Sequence, residues 1–396
     1  MAGIPQPSAR RASLAVIFGI VFIDLVGFGI VIPILPLYSQ RFGASPVVIG
    51  CLLSAYSLMQ ALCAPGWGRL SDRIGRRPVL FISLLGSAAG FWLMGIAHSL
   101  PLLFAARIID GITGGNISTA QAYIADITPP KDRSRGMGLI GVAFGLGFVF
   151  GPAIGGLLSH VSLAAPFLFA SILAAANALA IYGFLPESLP VERRRQVREQ
   201  PSFPALFREV RQRPIGVILS TYFFTTLSFS LLTATYALFT EHRLGYTASQ
   251  NGYLFAGQGL VGAIIQGGLL GWLVKAFGDK KLVIVGTATL ALSLFLLPMS
   301  TTTTVLLLVT TGVAIGHSLV LAPLNGLASK SAHETAQGRI LGLMQSVSSV
   351  ARVVGPVLGG WLLNYDAVHL SSVFGRTPYT AGGAITLIAV TLAMAL

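Results

Sequence analysis

Twelve stretches of mostly apolar residues fill this chain almost from end to end, and each is long enough to cross a lipid bilayer. They run over about 14–38, 46–67, 78–97, 101–126, 136–158, 164–185, 215–240, 248–274, 281–299, 304–328, 338–363 and 378–396. A hydrocarbon core of ~30 Å takes about 20 helical residues per crossing. A dozen crossings occupy roughly 240 positions, and in a 396-residue chain that leaves short loops and no soluble domain of ordinary size. Only 10% of residues are charged, against about 25% in soluble domains. The expected fold is an all-α membrane protein with twelve transmembrane helices. Arg10 and Arg11 precede a first run too long for a cleavable signal, so it reads as a span. Cys51 and Cys63 lie twelve apart on one expected helix, about 18 Å at helical rise and beyond disulfide reach.

The charge that remains is uneven. Lys and Arg number 26 against 13 acids, and 21 of the bases fall in the N-terminal tail and every second loop, with Arg41, Arg243 and Arg376 alone in the opposite loops. That bias places both termini in the cytoplasm and explains the net charge of +13 as topology. The one long polar stretch, Glu187 to Arg213, holds seven arginines and three prolines and separates six runs from six. The domains expected are therefore 1–186, a linker 187–213 and 214–396. RGMGLIGVAFGLGFVFGPAIGG from Arg135 lines up with RILGLMQSVSSVARVVGPVLGG from Arg339 at an offset of 204, and GRLSDRIGRR from Gly68 with GWLVKAFGDK from Gly271 at 203. Two parallel six-helix repeats place a binding site near the midplane.

The loop GRLSDRIGRRPVL between runs two and three resembles the signature of the major facilitator superfamily, over essentially the whole chain. The resemblance implies a latch closing the cytoplasmic side, built here from Asp72, Arg76, Asp126 and, as partner at the start of run eleven, Arg339. Lys275 stands where the second repeat would carry Asp72, so the latch is expected on one side only. Run five carries GxxxGPxxGG, with Gly147, Gly151, Pro152, Gly155 and Gly156. Such small-residue runs often serve helix packing alone. The whole string resembles the antiporter motif of drug:proton exchangers, which narrows the class.

Ionisable residues inside a membrane are costly and mark function by default. Asp24 stands mid-way along run one in FIDLVGFGIVIPILPLY, which resembles the first helix of tetracycline-efflux-like antiporters. Arg107 and Asp110 share a face of run four; a self-neutralising structural pair is the bland alternative. The resemblance makes Arg107 a residue that tunes nearby acids, while Asp110 has no counterpart in it. These three are the expected proton-coupling residues. His317 in run ten reads as packing. Tyr222, Thr226, Phe229, Thr233 and Tyr236 form one stripe on run seven and, with Asn116, Gln60, Gln258, Gln345 and Arg352, are the expected substrate contacts. Apolar walls with few oriented polar groups suit an amphipathic, drug-like ligand.

No metal-ligand spacing, nucleophile and base constellation or phosphate loop stands out, so neither an enzyme nor a cofactor or metal is expected. The reading is a monomeric, proton-coupled antiporter of the bacterial inner membrane that exports small amphipathic drugs, tetracycline-like or multidrug. Its rivals are a proton-coupled importer of a metabolite, sugar or lipid on the same fold, and a receptor or scaffold that moves nothing. The dedicated tetracycline pumps carry acids in runs three and nine and a histidine in run eight. Gly90 and Gly262 stand in the first and third of these places and run nine has no acid, so the resemblance speaks more to architecture than to tetracycline itself.

Overall fold

In the computed structural model the described residues are 7–129, 133–190, 194, 213–331, 337–369 and 373–396; side chains of 7–12, 133–137, 213 and 337–339 lie outside the description. These residues are helical almost throughout. The first repeat contributes α1 (Pro7–Gln40), α2 (Pro46–Ile74), α3 (Arg76–Gly95), α4 (Leu100–Thr113), α5 (Asn116–Ile127), α6 (Arg133–Leu158) and α7 (Ala165–Phe184). The second contributes α8 (Arg213–Leu244), α9 (Ala248–Ile264), α10 (Leu270–Phe277), α11 (Asp279–Leu296), α12 (Thr303–Ser331), α13 (Gln337–Val368) and α14 (Arg376–Met394). A π turn, Ile265–Leu269, joins α9 to α10 without ending the span.

Among the described residues eleven helices are each long and apolar enough to cross a membrane, and the twelfth expected crossing is divided between two shorter helices. The difference lies in run four. At Gly114 the backbone turns to ψ 34° and at Gly115 to ψ 2°, so the run splits into α4 and α5, each shorter than a full span. Two adjacent glycines carry no Cβ to hold a helix and are the residues most easily bent out of one. At the offset of 204 the second repeat has Ser318, Leu319 and Val320 where run four has Gly114, Gly115 and Asn116, and α12 passes through them unbroken. The break therefore belongs to run four and not to the fold.

The repeat seen in sequence is also a repeat in packing. α1 packs on α6 and α7, α3 on α4 and α7; correspondingly α8 packs on α13 and α14, α11 on α12 and α14. The chain divides into two compact units. One gathers Met1–Phe42, Ala55–Glu199 and Ala248–Ala256; the other gathers Gly43–Ser54, Gln200–Thr247 and Gly257–Leu396. Each unit thus includes the first turns of one helix from the other sequence repeat. Within the first, Ile17, Leu25, Leu84, Tyr123 and Ile181 form a buried cluster. In the second, Tyr222, Val283, Leu324 and Met344 belong to another. Ile172, Leu179 and Tyr182 on α7 are each about two-thirds exposed and share one stripe, the pattern of a face turned to lipid.

Lipid is as apolar as leucine, so helices in a membrane associate by close packing of small residues more than by exclusion of water. α11 and α12 cross at Gly286 and Gly316, where a Cβ on Gly316 would lie 2.6 Å from the Leu290 nitrogen. Gly75 and Gly278 each hold positive φ, 109° and 79°, at matched places between runs two and three and runs eight and nine. Gly316→Leu is expected to lower the apparent melting temperature in detergent by on the order of 5 °C. Gly183→Leu, with nothing within 4 Å, should leave it unchanged.

Candidate functional site

Breaking a helix frees backbone groups that must find other partners in a membrane. Three consecutive carbonyls at the end of α4 are met by side chains from neighbouring helices. Trp67 Nε1 donates to the Ile112 oxygen, the Ser83 hydroxyl to Thr113, and Gln60 Nε2 to Gly114 at 3.1 Å. Gln60, expected to touch substrate, is held here by that carbonyl and by the Tyr56 hydroxyl at 3.0 Å. Trp67 and Ser83 were not singled out from sequence; the Gly114–Gly115 pair was the signal that such caps would be needed.

The ionisable residues of the first unit flank this break. On the α4 side, Arg107 Nη1 lies 3.1 Å from Asp110 Oδ2, with both side chains about 95% or more buried. The guanidinium also stacks over Tyr56, 4.4 Å from its ring centre, a cation–π contact that the sequence reading missed although Tyr56 sits one turn from Gln60. Gly90 makes room for Asp110: a Cβ there would lie 2.7 Å from the Asp110 Cβ. On the α5 side, Asn116 Nδ2 donates to Asp24 Oδ2 at 2.6 Å, while its Oδ1 accepts the Ile117 N–H at 2.8 Å. The residues expected to carry protons therefore form two clusters: Arg107 is engaged by Asp110 and Tyr56, and Asp24 by Asn116. A small cavity lined by Ile20, Val21, Leu80, Leu84, Ile117 and Ala120 adjoins Asp24 and Asn116.

Arg76 gathers the residues expected for the latch. Its Nη1 lies 2.7 Å from Asp72 Oδ1 and donates to the Ser71 hydroxyl at 2.6 Å, and its Nε reaches Asp126 Oδ2 at 3.0 Å. The Arg339 side chain lies outside the described residues. Glu187, counted in sequence only as a linker acid, caps the start of α3. Its carboxylate accepts the backbone N–H groups of Arg76 at 2.9 Å and Arg77 at 3.2 Å, and Arg194 approaches it at 3.8 Å. Acids at a helix N-terminus are favourably placed. In the second repeat the offsets carry Arg76 to Asp279 and Asp126 to Lys330, and these two pair at 2.5 Å. The second unit thus holds a charge-reversed copy of the Arg76–Asp126 pair, and Lys275 is exposed.

The glycine string of α6 faces two ways. Gly147 and Gly151 meet α1, where Gly29 lies close enough that a Cβ on it would sit 2.7 Å from the Gly147 oxygen. Gly155 lies against Ile30, while Gly156 meets Ser249 and Gly252 at the start of α9, and Pro152 presents its carbonyl to Gly252. His160 adds a 2.8 Å contact to Ser249. α13 repeats this pattern: Gly355 and Gly359 meet α8, and Gly360 meets Pro46 at the start of α2. Ser54 donates to the Val353 carbonyl at 2.6 Å.

The expected substrate stripe on α8 is largely turned inward. Tyr222, Thr226 and Tyr236 are buried, with Tyr222 in the unit's core. Tyr236 has Thr310 and Gln258 as hydrogen-bonding neighbours. Thr233 donates to its own helix at Ser230. Phe229 stacks on His317, ring centres 3.6 Å apart, so His317 is a packing residue that also carries an aromatic face. Gln345 is exposed, and Arg352 is partly buried with its Nη2 3.4 Å from Ser349 Oγ. Among the described residues no group of three metal-ligating side chains occurs.

Two repeats with matched helix packing, an ion-pair cluster around Arg76 and a broken span beside buried acids make up an all-helical membrane fold. The chain belongs to the Major Facilitator Superfamily, whose model matches residues 17–269 and again 218–396. It is similar to the class C tetracycline resistance protein of Escherichia coli, 37% identical over 87% of this chain and 88% of that one. It is also similar to multidrug resistance protein 1 of Bacillus subtilis, 30% identical over 96% of each. Among solved structures it resembles the human organic anion transporter MFSD10 (TETRAN), with TM-score 0.72 and 27% identity over 98% of this chain and all of that one. A bacterial homolog of the lysosomal transporter Spinster shares the fold, with TM-score 0.81 at 16% identity over 99% and 97% of the two chains. The protein is a multi-pass membrane protein of this transporter type.

If Arg107 and Asp110 form a self-neutralising unit, Asp110→Leu leaves a buried cation and costs about 3–5 kcal/mol. The double variant Arg107→Leu/Asp110→Leu should recover most of that loss. Thermal denaturation of the three proteins in detergent measures both.

Proposed function

We propose that this chain is a proton-coupled antiporter of the bacterial inner membrane that exports small amphipathic drugs by alternating access, with both termini and the 187–213 linker in the cytoplasm. It acts as a monomer and performs no chemistry on its substrate. Asp24 carries the reading: a carboxylate in the middle of a membrane span, held by one neutral amide and so able to gain and lose a proton. Tetracycline and multidrug resistance among the relatives supports the substrate class. A proton arriving from outside neutralises Asp24 and favours release of drug; loss of that proton inside restores the binding state. Exchange needs only that proton and drug oppose each other's occupancy. Arg76, bridging Asp72 and Asp126, steadies the cytoplasmic end, while Gly156 and Gly360 allow the close contacts at the other end.

Expression in a bacterium lacking its own pumps should raise the inhibitory concentration of tetracycline or of an amphipathic cationic dye several-fold. Asp24→Asn should abolish that resistance at equal expression. Resistance that survives in the variant, or drug accumulated by cells in the direction of proton entry, contradicts the antiport reading.

A further inference from the structure

Asp24 has a partner whose chemistry runs in one direction. The Asn116 amide oxygen is committed to the Ile117 N–H at 2.8 Å, so the face turned to Asp24 is the amide NH₂, 2.6 Å from the carboxylate. An NH₂ group donates and cannot accept. It holds a carboxylate more strongly than a carboxylic acid, because hydrogen bonds to a charged acceptor are the stronger kind. Asn116 is the first residue of α5, after the break at Gly114 and Gly115, and is itself 92% buried. The break places the residue that grips Asp24 on α5, separate from α4, whose end is capped by Trp67, Ser83 and Gln60. The unbroken α12 has Val320 at the matching position, so the fold itself asks for neither amide nor break.

We propose that Asn116, and not Arg107, is the positioning residue that sets how tightly Asp24 holds its proton, and that the broken run four makes this grip adjustable. Arg107 is engaged by Asp110 and stacks over the Tyr56 ring. On the α4 side the charged residues are Arg107 and Asp110, which pair with each other. α3 and α6 carry charged residues only near their basic-loop ends, α5 has Tyr123 and Asp126 toward that same end, and α7 has Tyr182 there and no charged residue. The proposal rests on the reading of Asp24 as the proton carrier.

The test is an infrared titration of the protein reconstituted in lipid, following the C=O stretch of the protonated Asp24 carboxyl, assigned by its loss in Asp24→Asn. With Asn116→Leu, close in size but without a donor, the acid form loses its competitor. The band should then persist to a pH higher by roughly one unit. Asn116→Ser, which keeps a donor, should titrate closer to the unchanged protein and guards against a Leu variant that fails to fold. A band that titrates at the same pH in the folded Leu variant, or one that moves with Arg107→Lys and not with Asn116→Leu, overturns the proposal. A protein that moves no drug would sink the antiport reading, while the carboxyl titration would still decide the role of Asn116.

Discussion

A charged side chain near the middle of a bilayer costs about 3 kcal/mol on insertion scales unless something neutralises it, and the first unit is organised by that cost. Its acids and base are not spread along the spans but drawn to one place, the break in run four. Arg107 and Asp110 cancel each other, and Tyr56 covers the guanidinium face. Asp24 is treated differently, with a neutral amide for a partner. A paired charge is fixed in its state, whereas a carboxylate held by an amide is free to take up a proton and lose it again.

The two repeats show what the fold requires and what has been added to it. Helix pairings, the positive-φ glycines before α3 and α11, and the glycine strings of α6 and α13 occur in both. These belong to the scaffold. Among the described residues the break, its three capped carbonyls and the Asp24, Arg107 and Asp110 cluster occur in the first repeat only. The salt bridge after the second span of each repeat is kept with its polarity reversed, Arg76–Asp126 against Asp279–Lys330. Sequence position is conserved there while sign is not.

Much of this was legible in the residues. Apolar run length marked the spans and the constant offset revealed the repeat. Asp72, Arg76 and Asp126, grouped by the resemblance of their loop to the superfamily signature, lie together around the Arg76 guanidinium. Run four was read as one helix because hydropathy does not register a change of backbone angle; the Gly114–Gly115 pair did carry that information. Lys275 by itself gives no sign that Asp279 and Lys330, at the positions matching Arg76 and Asp126, pair with inverted polarity. Periodicity put Tyr222 and Tyr236 on one stripe with Phe229, but a stripe does not say which neighbour it meets. Both tyrosines are buried inside their own unit.

The central claim is that drug and proton compete through Asp24. Proton release on addition of tetracycline to the detergent-solubilised protein in weak buffer measures this directly. The account predicts that saturating drug expels protons from the unchanged protein and none from Asp24→Asn that still binds it. Drug binding with no proton release from the unchanged protein, or equal release from the variant, would contradict it.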